Sequence, residues 1–403
     1  MLDRFLRYTE MDTQSDRHIE DIPSTPTQWN LARLLERELK ALGIVDVSLD
    51  DHCYLIARIP ATKGMGKKPR IALMAHIDTA SDVPGSNVRP KVLRNYDGKT
   101  VELSPGITLD PSDYPDLAAH SGDTIVATDG KTLLGADDKA GVAEIMTTIE
   151  WLAAHPEAEH GPIDIYFTPD EETGKGMNLF PLAKAKSVAC YTVDGGKSAE
   201  IEAECFTAYS VRAEFSGKVI HIGSARGKLA NATAMACYFV NLLPRSESPE
   251  ATDGWYGYYC PIEISGSMEH AVVDVYLRDF STEGMQKRIK AVESFAQTVE
   301  AQFPLGKVGL TVKKQYLNMK EELDKNPDVL SKLVIAIRKA GAEPEMKPIR
   351  GGTDGSRLTE MGIPTPNIFT GGYNYHSRHE WASVGEMSLA VRTLVELLRT
   401  WTE

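Results

Sequence analysis

The sequence predicts an α/β protein: a catalytic domain built on a mixed, mostly parallel sheet, interrupted by an inserted ferredoxin-like βαββαβ domain. Three observations lead there. Runs at 71–75, 163–167 and 188–193 are almost wholly apolar, as strands covered on both faces are, and a helical periodicity lies among them. From about residue 208 the pattern turns to alternation, with Tyr209, Val211, Ala213 and Phe215 on one face, as in a sheet with one side covered. After about residue 320 the α/β style resumes. The expected domains are therefore 1–207 and 320–403 for the catalytic part and 208–319 for the insertion.

In order, a short helix is expected over 2–9, a polar turn at DTQSD, and a helix over 25–42 that Pro26 opens and Gly43 closes. Short strands follow at 44–49 and 54–59. After a Gly- and Lys-rich turn, the buried strand 71–75 runs into His76-Ile77-Asp78-Thr79. Residues 81–123 are rich in Pro, Gly and Asp and longer than an ordinary connection, either a structured insertion or a loop bordering a site. A helix then reaches about 154, followed by the strands at 163–167 and 188–193. The insertion reads as a strand from about 208, a helix over 228–243, strands at 256–264 and 271–279, a helix over 281–303 and a strand over 307–316. The return carries a helix at 327–340, the glycine-rich IRGGTDGSRL at 349–358, a strand at 366–369 and a last helix at 388–398.

The stretch TDGKTLLGADDKAG, residues 128–141, organises the rest. Val142, Ile145, Met146, Ile149 and Leu152 recur at helical spacing, so Asp137 and Asp138 sit in the turn that starts a helix. Alone, such a pair is an N-cap at the favourable end of the helix dipole. Its company argues for more. Each of the three buried strands ends in polar residues: His76 after the first, Glu171 and Glu172 after the second, Asp194 after the third. In a parallel sheet those ends share one rim, where α/β proteins keep their chemistry. With Asp137 and with His376 of TGGYNYHSRHE they make a mixed imidazole and carboxylate set, which suits Zn²⁺, Mn²⁺ or Co²⁺ rather than Mg²⁺ or Ca²⁺. Singly, each residue has an ordinary structural explanation: a strand-end histidine packs, a glutamate pair lies on a solvated face, GGTDG is a turn. Jointly they describe a site. Five ligands, one of them a bridging carboxylate, give two metals three protein ligands each and leave a position for water. One of the adjacent glutamates can then bind metal while the other stays free as general base. Asp78 is placed to accept the second ring N–H of His76.

A formal net charge of -13 argues against a nucleic-acid partner or an anionic membrane surface. No apolar run reaches the length of a membrane span, and the opening MLDRFLRYTEMDTQSD is too charged for a secretory signal. Five scattered cysteines without a CxxC spacing read as reduced thiols, hence a cytoplasmic location.

The HxD after a strand, GADDKAG, DEET, VDGG, RGGTDG and GGYNYHSRHE together resemble the two-zinc aminoacylase and carboxypeptidase superfamily, and within it the tripeptide aminopeptidases. The resemblance runs from DRFLRYTEMDTQS to the final histidine motif. It implies two Zn²⁺, with Co²⁺ or Mn²⁺ as the alternative in one site. Asp137 would bridge them, His76 and Asp194 completing one site, Glu172 and His376 the other. Glu171 would be the general base and Asp78 the orienter of His76. The superfamily places its last ligand four residues before a glutamate, which selects His376 over His379, given Glu380. The insertion would correspond to a lid and dimerisation domain, which permits a homodimer. By the same resemblance His221, in VIHIGSARGKLANA, would help bind the tetrahedral oxyanion in its own or a partner's active site; from the residues alone it reads as a strand histidine. Asn231 and Arg278 would contact substrate, Arg278 suiting a peptide carboxylate, and Gly351, Gly352 and Thr353 would shape the backbone. The implied substrates are short peptides. The same site would also serve a dipeptidase, a carboxypeptidase or an N-acyl-amino-acid deacylase. A Mg²⁺-dependent phosphotransferase fits less well, given two histidines and no GxxxxGK[ST] loop.

Overall fold

In the computed structural model, which describes all 403 residues, the apolar runs become the middle of an eight-stranded sheet. Strands Ile163–Thr168, Ile71–His76, Ala189–Gly195 and Asn367–Phe369 lie side by side and parallel there. Leu55–Ile59 and Asp46–Leu49 extend one flank antiparallel. On the other flank Glu200–Cys205 runs antiparallel to Asn367–Phe369, with Glu345–Ile349 beyond it. Ile71–His76 and Ile163–Thr168 are buried at every residue, which is why they carry no alternation. Helix Ala136–Ala154 packs on this sheet so closely that a Cβ on Gly141 would lie 1.8 Å from the carbonyl oxygen of Val193. Glycine is required there for proximity. Apart from the last two residues of Glu200–Cys205 and of Glu345–Ile349, these elements belong to a first unit made of Met1–Ala203, Glu321–Lys347 and Thr353–Glu403.

Residues 81–123 prove to be a structured insertion. Strands Lys91–Leu93 and Ile125–Ala127 join Gly372–Tyr373 and Trp381–Ser383 in a four-stranded sheet. The hairpin Val101–Ser104 and Ile107–Leu109 and the helix Pro115–Ala118 add Leu103, Leu109 and Leu117 to a small core around Trp381. That core draws on chain far away in sequence, so no local periodicity announces it.

The second unit, Glu204–Lys320 with Pro348–Gly352, contains an antiparallel sheet in the order Tyr258–Gly266, His270–Asp279, Thr207–Ser216, Lys307–Tyr316. Helices Ala232–Leu242 and Thr282–Gln302 pack on it, burying Met235, Phe239, Val292 and Val299 against Val211, Ala213 and Phe215. This is the βαββαβ arrangement, and with the mixed sheet of the first unit it makes up the expected fold class. No helix is long and apolar enough to cross a membrane.

Several element bounds differ from expectation for local reasons. The helix expected from 228 starts at Ala232 because the Asn231 side chain accepts from Thr233 N and Ala234 N. The glycine-rich 349–358 stretch holds a helix, Asp354–Glu360, started by a capping box between Thr353 and Ser356. The last helix runs Val384–Thr400, with Ser383 as its cap. Strands Glu200–Cys205 and Glu345–Ile349 went unforeseen because flanking strands alternate with charged residues.

Candidate metal centre

Parallel strands put their C-terminal ends on one edge, and there the chain delivers its polar residues. His76 closes its strand, Asp194 lies near the end of Ala189–Gly195, and Glu171–Thr173 is a single 3₁₀ turn just past Ile163–Thr168. Asp137 enters from the start of helix Ala136–Ala154, where it and Asp138 keep non-helical backbone. His376 arrives on a turn in the left-handed region, φ 59°. Two trios of ligand atoms result: His76, Asp137 and Asp194, and Asp137, Glu172 and His376, the atoms of each lying within 4.8 Å of one another. His76 Nε2 is 2.9 Å from Asp137 Oδ1 and 3.4 Å from Asp194 Oδ1; His376 Nε2 is 3.1 Å from Asp137 Oδ2 and 3.0 Å from Glu172 Oε2. Asp137 thus presents one oxygen to each trio. Glu171 stands in neither. His379 instead lies against the Tyr114 ring, centroids 5.4 Å apart.

The supporting contacts are denser than sequence reasoning foresaw. Asp78, fully buried, has Oδ1 3.3 Å from His76 Nδ1, while its own carbonyl oxygen lies closer, at 3.1 Å. Its carboxylate also accepts Glu171 N at 3.0 Å and Glu172 N at 3.2 Å, so one side chain contacts the histidine and the glutamate turn together. Asp138, the silent partner of the pair, accepts His76 N at 3.2 Å and Gly141 N at 3.1 Å. Glu380, expected only as a spacing marker, is buried and accepts Leu134 N, Gly135 N and Asp137 N at 2.6, 2.8 and 3.2 Å. Asp82 Oδ2 stands 3.3 Å from His376 Nδ1, and buried Asp354 accepts Thr168 Oγ1 at 2.6 Å. The HxD and GADDKAG motifs and the spacing to Glu380 marked three of these positions, but nothing local marked Asp82 or Asp354 as partners of the site.

Electrostatically the cluster is short of positive charge. Burial pushes Glu172 up to about 8, with Asp137 adding to it, and Asp194 up to about 6 against the pull of His76. Burial likewise holds Glu171 well above the ordinary carboxylate range. Asp137 goes the other way: burial would raise it, but hydrogen bonds from His376 and His76 hold it low. His376 rises to about 11 beside Asp137 and Glu172, and His76 rises despite burial because Asp194, Asp137 and Asp78 surround it. Glu172 Oε1 is buried with no hydrogen-bond partner. Two divalent cations would meet both needs, supplying charge and a partner for that oxygen, and the nitrogen and oxygen donors match the preferences of zinc-like ions.

The remaining predicted residues belong to neither trio. Thr353 is buried at the cap of Asp354–Glu360, its hydroxyl 3.3 Å from Asn367 Oδ1. In the second unit, His221 is exposed and Asn231 caps a helix. Arg278 is buried, donates to Leu277 O at 3.0 Å and lies over the Tyr276 and Tyr316 rings. Gly352 faces Tyr316 so tightly that a Cβ would lie 2.5 Å from the ring; Gly351 has only Ile349 nearby, at 4.0 Å.

Residues 128–400 match the model of peptidase family M20/M25/M40. The chain belongs to that family and is a hydrolase of the peptidase class. Within it, the chain is similar over its whole length to peptidase T of Clostridium perfringens strain SM101, at 44% identity across 401 residues, covering 100% of this chain and 98% of the relative. Among solved structures it is similar to aminopeptidase PepT from Bacillus cereus, with a TM-score of 0.78, 22% identity and coverage of 100% and 98%. A tripeptidase from Staphylococcus aureus gives a TM-score of 0.78 at 20% identity, covering 100% and 97%.

Proposed function

We infer that this chain is a cytoplasmic metallo-aminopeptidase that releases the N-terminal residue from tripeptides. One observation carries the reading: two ligand trios share Asp137, and Glu171, held on the same turn as Glu172 by the Asp78 carboxylate, belongs to neither. The name of one structural neighbour, a tripeptidase, and the peptidase T relatives support short peptides as the substrate. His76, Asp137 and Asp194 would hold one cation and Asp137, Glu172 and His376 the second, Zn²⁺ in both or Co²⁺ or Mn²⁺ in one. When bound, such a pair supplies Lewis acidity towards a carbonyl and makes water a nucleophile at neutral pH.

The chain does the rest. Glu171, fixed through its backbone by Asp78, takes a proton from the attacking water and returns it to the leaving amine; a carboxyl raised above its ordinary range is suited to both steps. Asp78 keeps His76 in one ring orientation. The remaining assignments rest on the resemblance alone: His221 for the developing oxyanion, Asn231 and Arg278 for the substrate, Gly351, Gly352 and Thr353 for the backbone around it, and a homodimer through the second unit.

The deciding experiment measures release of the N-terminal residue from di-, tri- and tetrapeptides with free and acetylated N-termini, using chelated and Zn²⁺-reconstituted protein. Zinc-dependent cleavage confined largely to free-amine tripeptides is expected. Cleavage only of acetylated or dipeptide members would keep the centre and overturn the substrate.

A further inference from the structure

Segment 11–28 contributes no ligand, yet it is tied to three of the stretches that do. Fully buried Lys139 of GADDKAG donates its Nζ to Met11 O at 2.6 Å. Thr79 N donates to Thr13 O at 3.2 Å and Ser15 N to Thr79 O at 3.1 Å, an isolated parallel bridge centred on Gln14 and Thr79. Gln14 Nε2 then donates to both Ala80 O and Val83 O at 2.8 Å, so the 79–83 turn closes around one amide. Thr25 Oγ1 donates to Gln14 O at 2.7 Å, doubling the segment back on itself. At its far end Ser24 N and Gln28 Nε2 donate to the carboxylate of Asp170 at 2.6 and 2.7 Å, and Ser24 Oγ adds a third hydrogen bond. Asp170 is a buried residue with φ 57° and the immediate neighbour of Glu171.

Irregular loops have no ladder of their own, so their main-chain groups must find partners elsewhere. Here one segment supplies partners to Lys139, to the 79–83 turn and to Asp170, and Thr13, Ser15, Ser24, Gln28 and Thr79 are all buried, out of reach of solvent substitutes. The 79–83 turn follows His76 and Asp78 and carries Asp82, which touches His376 at 3.3 Å. We propose that segment 11–28 is a positioning strap that sets the His76, Asp82 and Glu171–Glu172 loops in register. Gln14 is its positioning residue on the histidine side and Asp170 its anchor on the glutamate side. The proposal rests on the metal-centre reading above and adds a determinant outside the ligand set.

The test is calorimetric titration of metal-stripped protein with Zn²⁺, without peptide, for the natural chain and for Gln14→Met, which keeps the side-chain length and removes both donors. The strap predicts that at least one site of the variant binds about 10- to 100-fold more weakly, and that kcat falls while KM changes little. Zinc affinity equal to the natural chain's would overturn the strap, whether or not the melting temperature drops, because a merely structural residue lowers stability and spares the folded site. Should Gln14→Met fail to fold, Thr25→Val, which removes the donor to Gln14 O, is read the same way with a smaller expected loss. A natural chain that takes up no zinc sinks the centre and the strap together; a loaded natural chain with an unaffected variant sinks the strap alone.

Discussion

The strand-end rim of the first unit and the sheet of the second unit treat buried charge in opposite ways. In the second unit, buried Arg288 is matched by Asp279 at 2.9 Å and Glu247 at 2.7 Å, and the core beneath is apolar. At the rim, Asp137, Glu171, Glu172 and Asp194 gather around two imidazoles, and burial raises three of the four. Desolvated charge is tolerated only when paired. A matched buried charge therefore reads as architecture, and an unmatched set reads as a place prepared for ions that folding alone does not provide.

The sharpest way to break that comparison is Asp137→Ala. It removes the one residue common to both trios, leaving each with two ligands, so bound zinc should fall from about two per chain towards none, with turnover lost; retention of both ions by elemental analysis would refute the bridging role. Glu171→Ala should cut kcat by about 10²- to 10⁴-fold with metal content near normal. A variant that kept its activity would remove Glu171 from the mechanism. In the second unit, Phe239→Ala should destabilise that unit by about 3–5 kcal/mol through cavity formation while zinc stoichiometry holds; simultaneous metal loss would show that the two regions do not divide as described. Glu380→Gln faces an amide towards three backbone donors and should lower stability by about 1–3 kcal/mol, with weaker zinc binding as the sign that the Asp137 turn has shifted.

The smallest effect concerns a matched pair within the first unit. His120 Nε2 lies 3.1 Å from Glu386 Oε1; burial would lower the imidazole's pKa, but Glu386 raises it, while burial would raise Glu386's, and its bonds to His120, Ser198 and Tyr373 lower it. A raised histidine stabilises the fold fully below its unfolded value, near 6.5, and loses that contribution as pH rises through its folded value. A lowered glutamate contributes above its unfolded value, near 4.5, and loses this as pH falls. His120→Ala should therefore flatten the decline in melting temperature above pH 6.5; an unchanged pH profile would show the pair to be inert.

The legible parts of this protein are those in which one residue type repeats or stops locally. Apolar runs ending in His76, in Asp170-Glu171-Glu172 and in Asp194 disclosed three strand ends, and parallel pairing then required those ends to meet. Alternation at Val211, Ala213 and Phe215 disclosed the one-sided sheet. Glu380 could not be read this way: its partners lie 243 to 246 residues back in the chain. The same holds for Asp170, reached by Ser24 and Gln28, and for Trp381, whose cluster includes Tyr96, Leu103, Leu109 and Leu117 of the 81–123 insertion. By itself the sequence determined which residues could ligate, which strands are buried and that the two stretches differ in kind, because periodicity and side-chain chemistry are local properties. Tertiary structure alone decided which oxygen of Asp137 meets which histidine, why Asp138 turns away to hold His76 N, and how a polar N-terminal segment comes to grip three loops. Those depend on hydrogen bonds between chain segments that only folding brings within reach.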